Sequence, residues 1–373
     1  MEEQAFYDYI KEHYKQQLPF VVYRHPHGNL THMWLQNDAQ VFHSSDYTET
    51  GFVFSPFDIK EDNIIFPETE CQRFSTMINR TTEAIEHQEV DPDREAGKAQ
   101  HIHLVDGGIT TIKTGALDKV VLSREIKVNN ISTDVLTLYR RLQASYHNAM
   151  VYCWYHPKVG TWLGATPEIL LKTEGQRFET ISLAGTKEIT ADSEPEWTSK
   201  EIEEQDIVTK YIVKQLEQDI DNIKPNDTIT VKAGNLLHLK TKISGVLKTP
   251  SSNLKSIIEA LHPTPAVCGF PKEEALDYIM SNEGYDRQFY TGFLGELNVK
   301  QPLVRNTNRK NVENNAYNST KNTTSLYVNL RCLQLKDEEA TLYVGGGITK
   351  DSVPVNEWEE TIAKSKTMLK VLF

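Results

Sequence analysis

The stretch "LDKVVLSREIKV", Leu117 to Val128, reads as a buried strand interrupted by charge. With a period of two, Val120, Leu122, Arg124, Ile126 and Val128 share one face, while Lys119, Val121, Ser123, Glu125 and Lys127 share the other. A charge held against an apolar sheet is costly unless it is paired or put to chemical use. An edge strand with solvated lysines is the ordinary explanation, so the meaning of Lys119 and Arg124 has to come from the surrounding chain.

More strands follow closely: "MVYCWYH" (150–156), "TWLGATPEILLKTEG" (161–175) and "RFETISLAGT" (177–186), with Glu174-Gly175 as a hairpin turn. A helix, "STDVLTLYRRLQASY", separates the first of them from Val128, and a long helix begins after Pro195. The second half repeats the texture with "TITVKAGNLLHLKTKISGVL", the helix "SNLKSIIEALHP", the strands "YTGFLGELNVK", "SLYVNLRCLQLK" and "EATLYVGGGI", and a C-terminal helix. Residues 1–100 offer a first helix around Phe6, Tyr9, Ile10 and Tyr14, the strands "FVVYRH" and "TGFVFSPF", and a polar helical stretch ending near "EVDPDREAGK". Strict β-α-β alternation is missing, which points to α+β with large antiparallel sheets. The asparagine-rich segment 306–322 reads as a flexible hairpin tip.

The totals narrow the chemistry. Among 373 residues, 40 Lys and Arg stand against 52 Asp and Glu, a net charge of −12 that argues against a general nucleic-acid or anionic-membrane binder. Cys71, Cys153, Cys268 and Cys332 are scattered, without zinc or disulfide spacing, and no apolar run reaches membrane-spanning length. A cytoplasmic protein is expected, acting as a monomer.

Single residues give modest signals. On the helix after Pro195, Glu204 shares a face with Val208, Tyr211 and Ile212, where a carboxylate needs a cationic partner or a metal. Glu168 follows Pro167 and precedes Ile169-Leu170-Leu171, where burial would raise its pKa and favour a general acid. In the last helix Val355, Trp358, Ile362 and Leu369 form the apolar stripe, which leaves Glu360 and Lys364 opposite as an exposed pair. His238, alone in a strand, reads as a packed core histidine. Arg331 interrupts its strand much as Arg124 does.

The order of these segments is more specific than any of them alone. "KVVLSR" (119–124), "GATPEIL" (164–170), "LAGT" (183–186), "KEIEEQ" (200–205), "HPTPAVCGFP" (262–271), "DRQFYTGFLGE" (286–296), "NLRC" (329–332), "GGGI" (345–348) and "EWEETIAKSKTML" (357–369) together resemble the chorismate-utilising enzymes, in particular the isochorismate synthase branch. The resemblance covers roughly residues 115–373, and residues 1–100 match loosely. It implies one α+β domain over residues 1–373, with two large antiparallel sheets packed face to face, helices outside, and a cleft between halves.

Position by position, the resemblance implies Lys119 as the base that activates water and Glu168 as the acid that protonates the departing C4 hydroxyl of chorismate. Glu204 and Glu360 would hold Mg²⁺. Arg331, Tyr290 and Lys364 would face the enolpyruvyl carboxylate, with Gly185, Thr186, Gly345 and Gly347 lining the site and His238 near the ring. The family histidine after the "KEIEE" glutamate is replaced by Gln205. Ammonia-using relatives carry glutamine where Lys119 stands, so water is the expected nucleophile. Ala266 stands where salicylate synthases resemble one another in carrying a hydroxylated residue, so the reaction should stop at isochorismate, with menaquinone the expected destination. Salicylate synthesis, and a catalytically silent chorismate-binding or scaffold protein, are the alternatives.

Overall fold

A computed structural model describes residues 1–78, 95–129, 131–188, 196–233, 236–248, 254–302 and 320–373. In chain order the first part contains α1 (Glu3–Lys15), β1 (Phe20–Arg24), β2 (Leu30–Gln36), β3 (Phe42–Ser44), β4 (Gly51–Ser55), β5 (Asn63–Pro67) and β6 (Cys71–Met77). The middle contains α2 (Lys98–Lys113), β7 (Lys119–Val128), α3 (Val135–Ser145), β8 (Met150–His156), β9 (Gly160–Thr166), β10 (Ile169–Glu174), β11 (Arg177–Glu188) and α4 (Ser199–Leu216). Then follow β12 (Ile220–Pro225), β13 (Ile229–Ala233), β14 (Leu236–Leu247), α5 (Leu254–Leu261), β15 (Gly269–Phe270) and α6 (Lys272–Asn282). The chain closes with β16 (Phe293–Pro302), β17 (Thr320–Val328), β18 (Cys332–Lys336), β19 (Glu339–Ile348) and α7 (Pro354–Leu372).

Two antiparallel sheets result. One runs β15-β7-β19-β18-β9-β8-β1-β2-β6, and the other runs β12-β14-β11-β10-β17-β16-β4-β5-β3 with β13 added on β14. Between them lies an aromatic layer in which Trp34, Trp154 and Trp162 of the first sheet meet Phe52, Phe54 and Phe66 of the second. Helices cover the outer faces. α1, α3 and α7 close the first sheet, α4 and α5 close the second, and α2 and α6 pack on β7. The expected α+β sandwich is therefore present, and β1 to β6 supply strands to both sheets.

Two apolar runs that read as single strands are each divided between the sheets. "TWLGATPEILLKTEG" becomes β9 in the first sheet and β10 in the second, and the chain crosses at Pro167-Glu168. Proline lacks the N–H that a ladder requires, which favours a break there. "SLYVNLRCLQLK" becomes β17 and β18, crossing back at Asn329–Arg331, where Arg331 takes φ 48. The two crossings are tied together, since Val328 N donates to Glu168 O at 3.0 Å and Ala165 N to Arg331 O at 3.1 Å.

Other expectations need correction. α2 and α6 were not anticipated. In α2 the Gly107-Gly108 pair obscures the helical pattern, yet a Cβ on Gly108 would lie 3.2 Å from Leu122 Cδ1, so the missing side chain lets the helix approach β7. Tyr9 of α1 is exposed, whereas Phe6 and Ile10 are buried. Most of the polar stretch before α2, and residues 306–319 of the asparagine-rich segment, lie outside the described residues.

The end of the sandwich at β7 is fastened by a buried ion pair. Arg287 Nη2 meets Glu283 Oε1 at 2.5 Å and donates to Val121 O at 2.8 Å, while Nη1 donates to Val267 O at 3.0 Å. Glu283 Oε1 also accepts from Ser123 N at 2.7 Å. One guanidinium thus joins β7, the segment 262–271 and the turn before β16. Replacing it by an apolar residue leaves Glu283 buried and uncompensated, so Arg287→Met is expected to lose about 3–5 kcal/mol in urea unfolding. A loss below about 1 kcal/mol would mean the pair is not what holds these segments.

Candidate active site

The two crossings open a cleft of about 1040 Å³, continuous with solvent, whose lining includes Glu168, Gly185, His238, Ala266, Tyr290, Arg331, Gly345, Gly347, Glu204, Glu360 and Lys364. Residues scattered from 168 to 364 therefore share one concave surface. Lys119 reaches the same place from the start of β7: it is 1% exposed, and its Nζ lies 2.7 Å from Glu204 Oε1. Thr186 continues β11, but its side chain is outside the described residues.

The period-two reading of β7 explains both of its charges. Val121 lines the cleft on the face of Lys119, and Val120 and Leu122 pack outward with α2 on the face of Arg124. Close approach on this strand depends on Gly269 of β15. It pairs with Val120 at φ 146, and a Cβ there would come within 2.3 Å of Lys119 O.

Glycines make the floor. β7 pairs with β19 so that Val121 faces Gly347 and Leu122 faces Gly346. A Cβ on Gly347 would lie 2.6 Å from Glu204 Oε1 and 3.1 Å from Lys119 Cε, and one on Gly346 would lie 3.4 Å from Glu360 Oε1 and 3.5 Å from Glu357 Oε2. Without side chains there, carboxylates from α4 and α7 converge over the strand. Glu204 Oε2 also accepts from Gly185 N at 3.2 Å. Lys364 Nζ sits 2.7 Å from Glu360 Oε1 and donates to Gly345 O at 2.7 Å.

The helical wheel of α7 therefore misplaces two groups. Glu360 and Lys364 are only 26% and 21% exposed and face the cleft, while Val355, assigned to the apolar stripe, is 49% exposed. The buried side is Trp358, Thr361, Ile362, Ser365, Met368 and Leu369, because small hydroxyl residues can pack against a sheet as methyl-sized groups do. Glu201 and Glu357 were overlooked. Glu201 lines the cleft and accepts from Thr198 N at 2.8 Å as the start of α4, and Glu357 is almost fully buried. Each precedes a chosen glutamate by three residues, so the i, i+3 spacing that places two side chains on one helix face could have found both.

Burial sets the proton inventory. Glu168 is enclosed, and desolvation raises its carboxyl from 4.5 to about 8 against the attraction of Lys119, Arg331 and Lys364. It holds a proton at neutral pH and can donate it. Burial, then Arg331 and Lys364, push His238 down to about 3. The neutral imidazole has a fixed tautomer: Nδ1 must donate to Gly185 O at 2.9 Å, since a carbonyl only accepts, and Nε2 accepts from Arg331 Nη2 at 3.1 Å. His238 thus orients a cleft arginine and is more than core packing. On the far wall Tyr290 stacks on Tyr343, with ring centroids 5.3 Å apart and planes at 16°. Gln205 is buried beneath Glu204, with Nε2 donating to Ser182 Oγ at 3.0 Å and Thr241 Oγ1 at 2.9 Å.

A cleft in which the cations Lys119, Arg331 and Lys364 stand among the carboxylates Glu204 and Glu360 suits an anionic ligand bridged by a hard cation. Among the described residues no three His, Cys, Asp or Glu side chains already close on one point. A hexacoordinate hard ion does not require that, because one or two carboxylates suffice when waters and ligand oxygens complete the shell. The oxygen-only donors Glu204 and Glu360, with Glu201 and Glu357 behind them over a floor cleared by Gly346 and Gly347, fit such an ion.

Known proteins with similar sequences and folds identify the family. Two sequence profiles, both described as chorismate binding enzyme, match residues 58–302 and 316–370. The vibriobactin-specific isochorismate synthase of Vibrio cholerae serotype O1 is 28% identical over 332 residues, which cover 85% of this chain and 78% of that one. Isochorismate synthase DhbC of Bacillus subtilis is 28% identical over 348 residues, covering 85% and 79%. The solved structure of the menaquinone-specific isochorismate synthase MenF of Escherichia coli superposes with a TM-score of 0.76 at 19% identity, covering 96% of this chain and 89% of that one, which is a likeness of fold. Since one profile alone spans more than half of its length, this protein belongs to the chorismate-binding enzyme family.

Proposed function

We propose that this protein is an isochorismate synthase, converting chorismate reversibly to isochorismate with Mg²⁺. The observation that carries the reading is that Glu168, buried and held protonated by desolvation, lines the same cleft as Glu204, whose Oε1 lies 2.7 Å from Lys119 Nζ. Water adds at C2 and gives its proton to Lys119, the ring double bonds shift, and the C4–O bond breaks as Glu168 protonates the departing hydroxyl, which leaves as water. Atoms balance, and the reverse reaction exchanges the roles of acid and base. Arg331, held by His238, and Lys364, held at Gly345, meet the enolpyruvyl carboxylate, and Tyr290 on Tyr343 provides an apolar wall. Glu204 and Glu360 would hold Mg²⁺, which supplies a positive anchor for the ring carboxylate. The same anchor answers how a chain of net charge −12 takes a dianion.

Ala266 on the cleft wall offers no hydroxyl to orient the intermediate for pyruvate loss. We therefore assign the product as isochorismate. Its destination, menaquinone in this reading, depends on which enzyme consumes it. A monomer in the cytoplasm completes the proposal; among the described residues no helix is long and apolar enough to cross a membrane.

Incubating the pure protein with chorismate and Mg²⁺ and separating products by chromatography tests the reading. Isochorismate in equilibrium with chorismate is expected, whereas stoichiometric pyruvate with salicylate would select the lyase branch and unchanged chorismate would select a binding protein. Lys119→Gln should lower turnover about 10²–10⁴-fold, the usual worth of a general base, and leave chorismate affinity nearly intact. Activity within tenfold of wild type would remove Lys119 from that role.

The pH dependence has a definite sign. Glu168 is protonated below about 8, so the forward rate should fall as pH rises through that value. The folded chain also keeps a proton that an unfolded glutamate releases near 4.5, so stability falls as pH rises from there to about 8. In Glu168→Gln the melting temperature should lose this component, and the variant should gain relative to wild type across that window. Parallel melting curves at every pH would contradict it.

A further inference from the structure

Arg124 lies on the face of β7 turned away from the cleft, and the reaction above makes no use of it. Its guanidinium sits 4.0 Å over the Trp358 ring of α7, and Nε donates to Thr361 Oγ1 at 2.9 Å. Thr361 Oγ1 in turn donates to Trp358 O at 2.8 Å, so one side chain grips a single turn of α7 through two contacts. Across the indole, His101 of α2 has its ring centroid 5.9 Å from that of Trp358. Burial, then Arg124, hold the imidazole down at about 4, so it is uncharged near neutral pH and does not repel the guanidinium.

Packing alone does not account for this arginine. Among the described residues Arg124 Nη2 is buried without a hydrogen-bond partner, which is a net cost that an apolar residue would not incur. Its place in the chain suggests what offsets that cost. Thr361 directly follows Glu360, which lines the cleft, and Trp358 directly follows Glu357, which is buried over Gly346; one residue on a helix is a rotation of about 100°. Turning α7 by one position would carry both carboxylates away from Gly346. The strand that holds the helix in rotation also starts with Lys119 and pairs with the glycine floor at Val121↔Gly347.

We propose that Arg124 is a positioning residue that fixes the rotation of α7 on β7 and thereby sets the affinity of the glutamate cluster for Mg²⁺. The inference rests on the metal reading given above.

Calorimetric titration of Mg²⁺ into the whole protein, without substrate, separates the two. Wild type should bind, and Glu204→Gln and Glu360→Gln should not. Arg124→Met should bind about 10–100-fold more weakly, the usual effect of losing a group that orients metal ligands. Its turnover should recover as Mg²⁺ is raised. Arg124→Lys keeps the charge but loses the planar fork and should restore only part of the affinity. Thr361→Val keeps the shape, removes the acceptor, and should weaken binding several-fold; it decides the matter if Arg124→Met does not fold. Ile10→Val, a core change in α1, supplies a control for general destabilisation. Binding within twofold of wild type in folded Arg124→Met or Thr361→Val would overturn the inference, as would equal weakening in Ile10→Val. Full binding in Glu204→Gln and Glu360→Gln, or no binding by wild type, would overturn the metal reading and this inference with it.

Discussion

Antiparallel pairing of β7 with β19 sets Val121 opposite Gly347 and Ser123 opposite Gly345, so a strand that begins with a lysine runs beside three consecutive residues without side chains. The consequence is steric. A methyl on Gly347 would fall 2.6 Å from Glu204 Oε1, so the carboxylates of two helices can reach this ladder only because glycine floors it. Lys119 Nζ and Lys364 Nζ each lie 2.7 Å from a carboxylate oxygen, of Glu204 and Glu360, and these contacts make the burial of all four groups tolerable.

The second constraint is the double crossing between sheets. Pro167-Glu168 and Asn329–Arg331 pass in opposite directions and are hydrogen-bonded to each other's strands. A chain leaving one sheet for another must place a few residues in neither, and those residues project into the gap between the sheets. Glu168 and Arg331 occupy that gap. The same enclosure that raises Glu168 to about 8 keeps His238 neutral, so a single low-polarity environment gives a proton donor and an orienting acceptor.

Electrostatic balance in the cleft also clarifies the overall charge. A net −12 spread over 373 residues does not decide what a cleft binds, since the field at short range comes from the nearest groups. Arg331 and Lys364 line the cleft and Lys119 lies beside Glu204, so an occupant meets these cations as well as the carboxylates Glu204 and Glu360. Buried ion pairs such as Arg287–Glu283 hold the walls around them in register.

The sequence by itself determined the α+β class with large antiparallel sheets and the two faces of "LDKVVLSREIKV", while the resemblance carried by the order of its motifs implied the face-to-face sandwich and many of the residues that line the cleft, though not Glu201. Those properties are local or collinear: strand alternation, turn chemistry and motif order can be read along the chain. Tertiary structure decided the rest. "TWLGATPEILLKTEG" and "SLYVNLRCLQLK" are single apolar runs whose division between sheets depends on partners more than a hundred residues away. The wheel of α7 shows where apolar side chains lie but cannot tell a cleft from bulk water, so Glu360 and Lys364 read as surface groups. Arg124 shares its face with valine, leucine and isoleucine and looks anomalous until α7 lies across it. Alternation and amphipathicity report which side of an element is buried, whereas what buries it is a property of the packed fold.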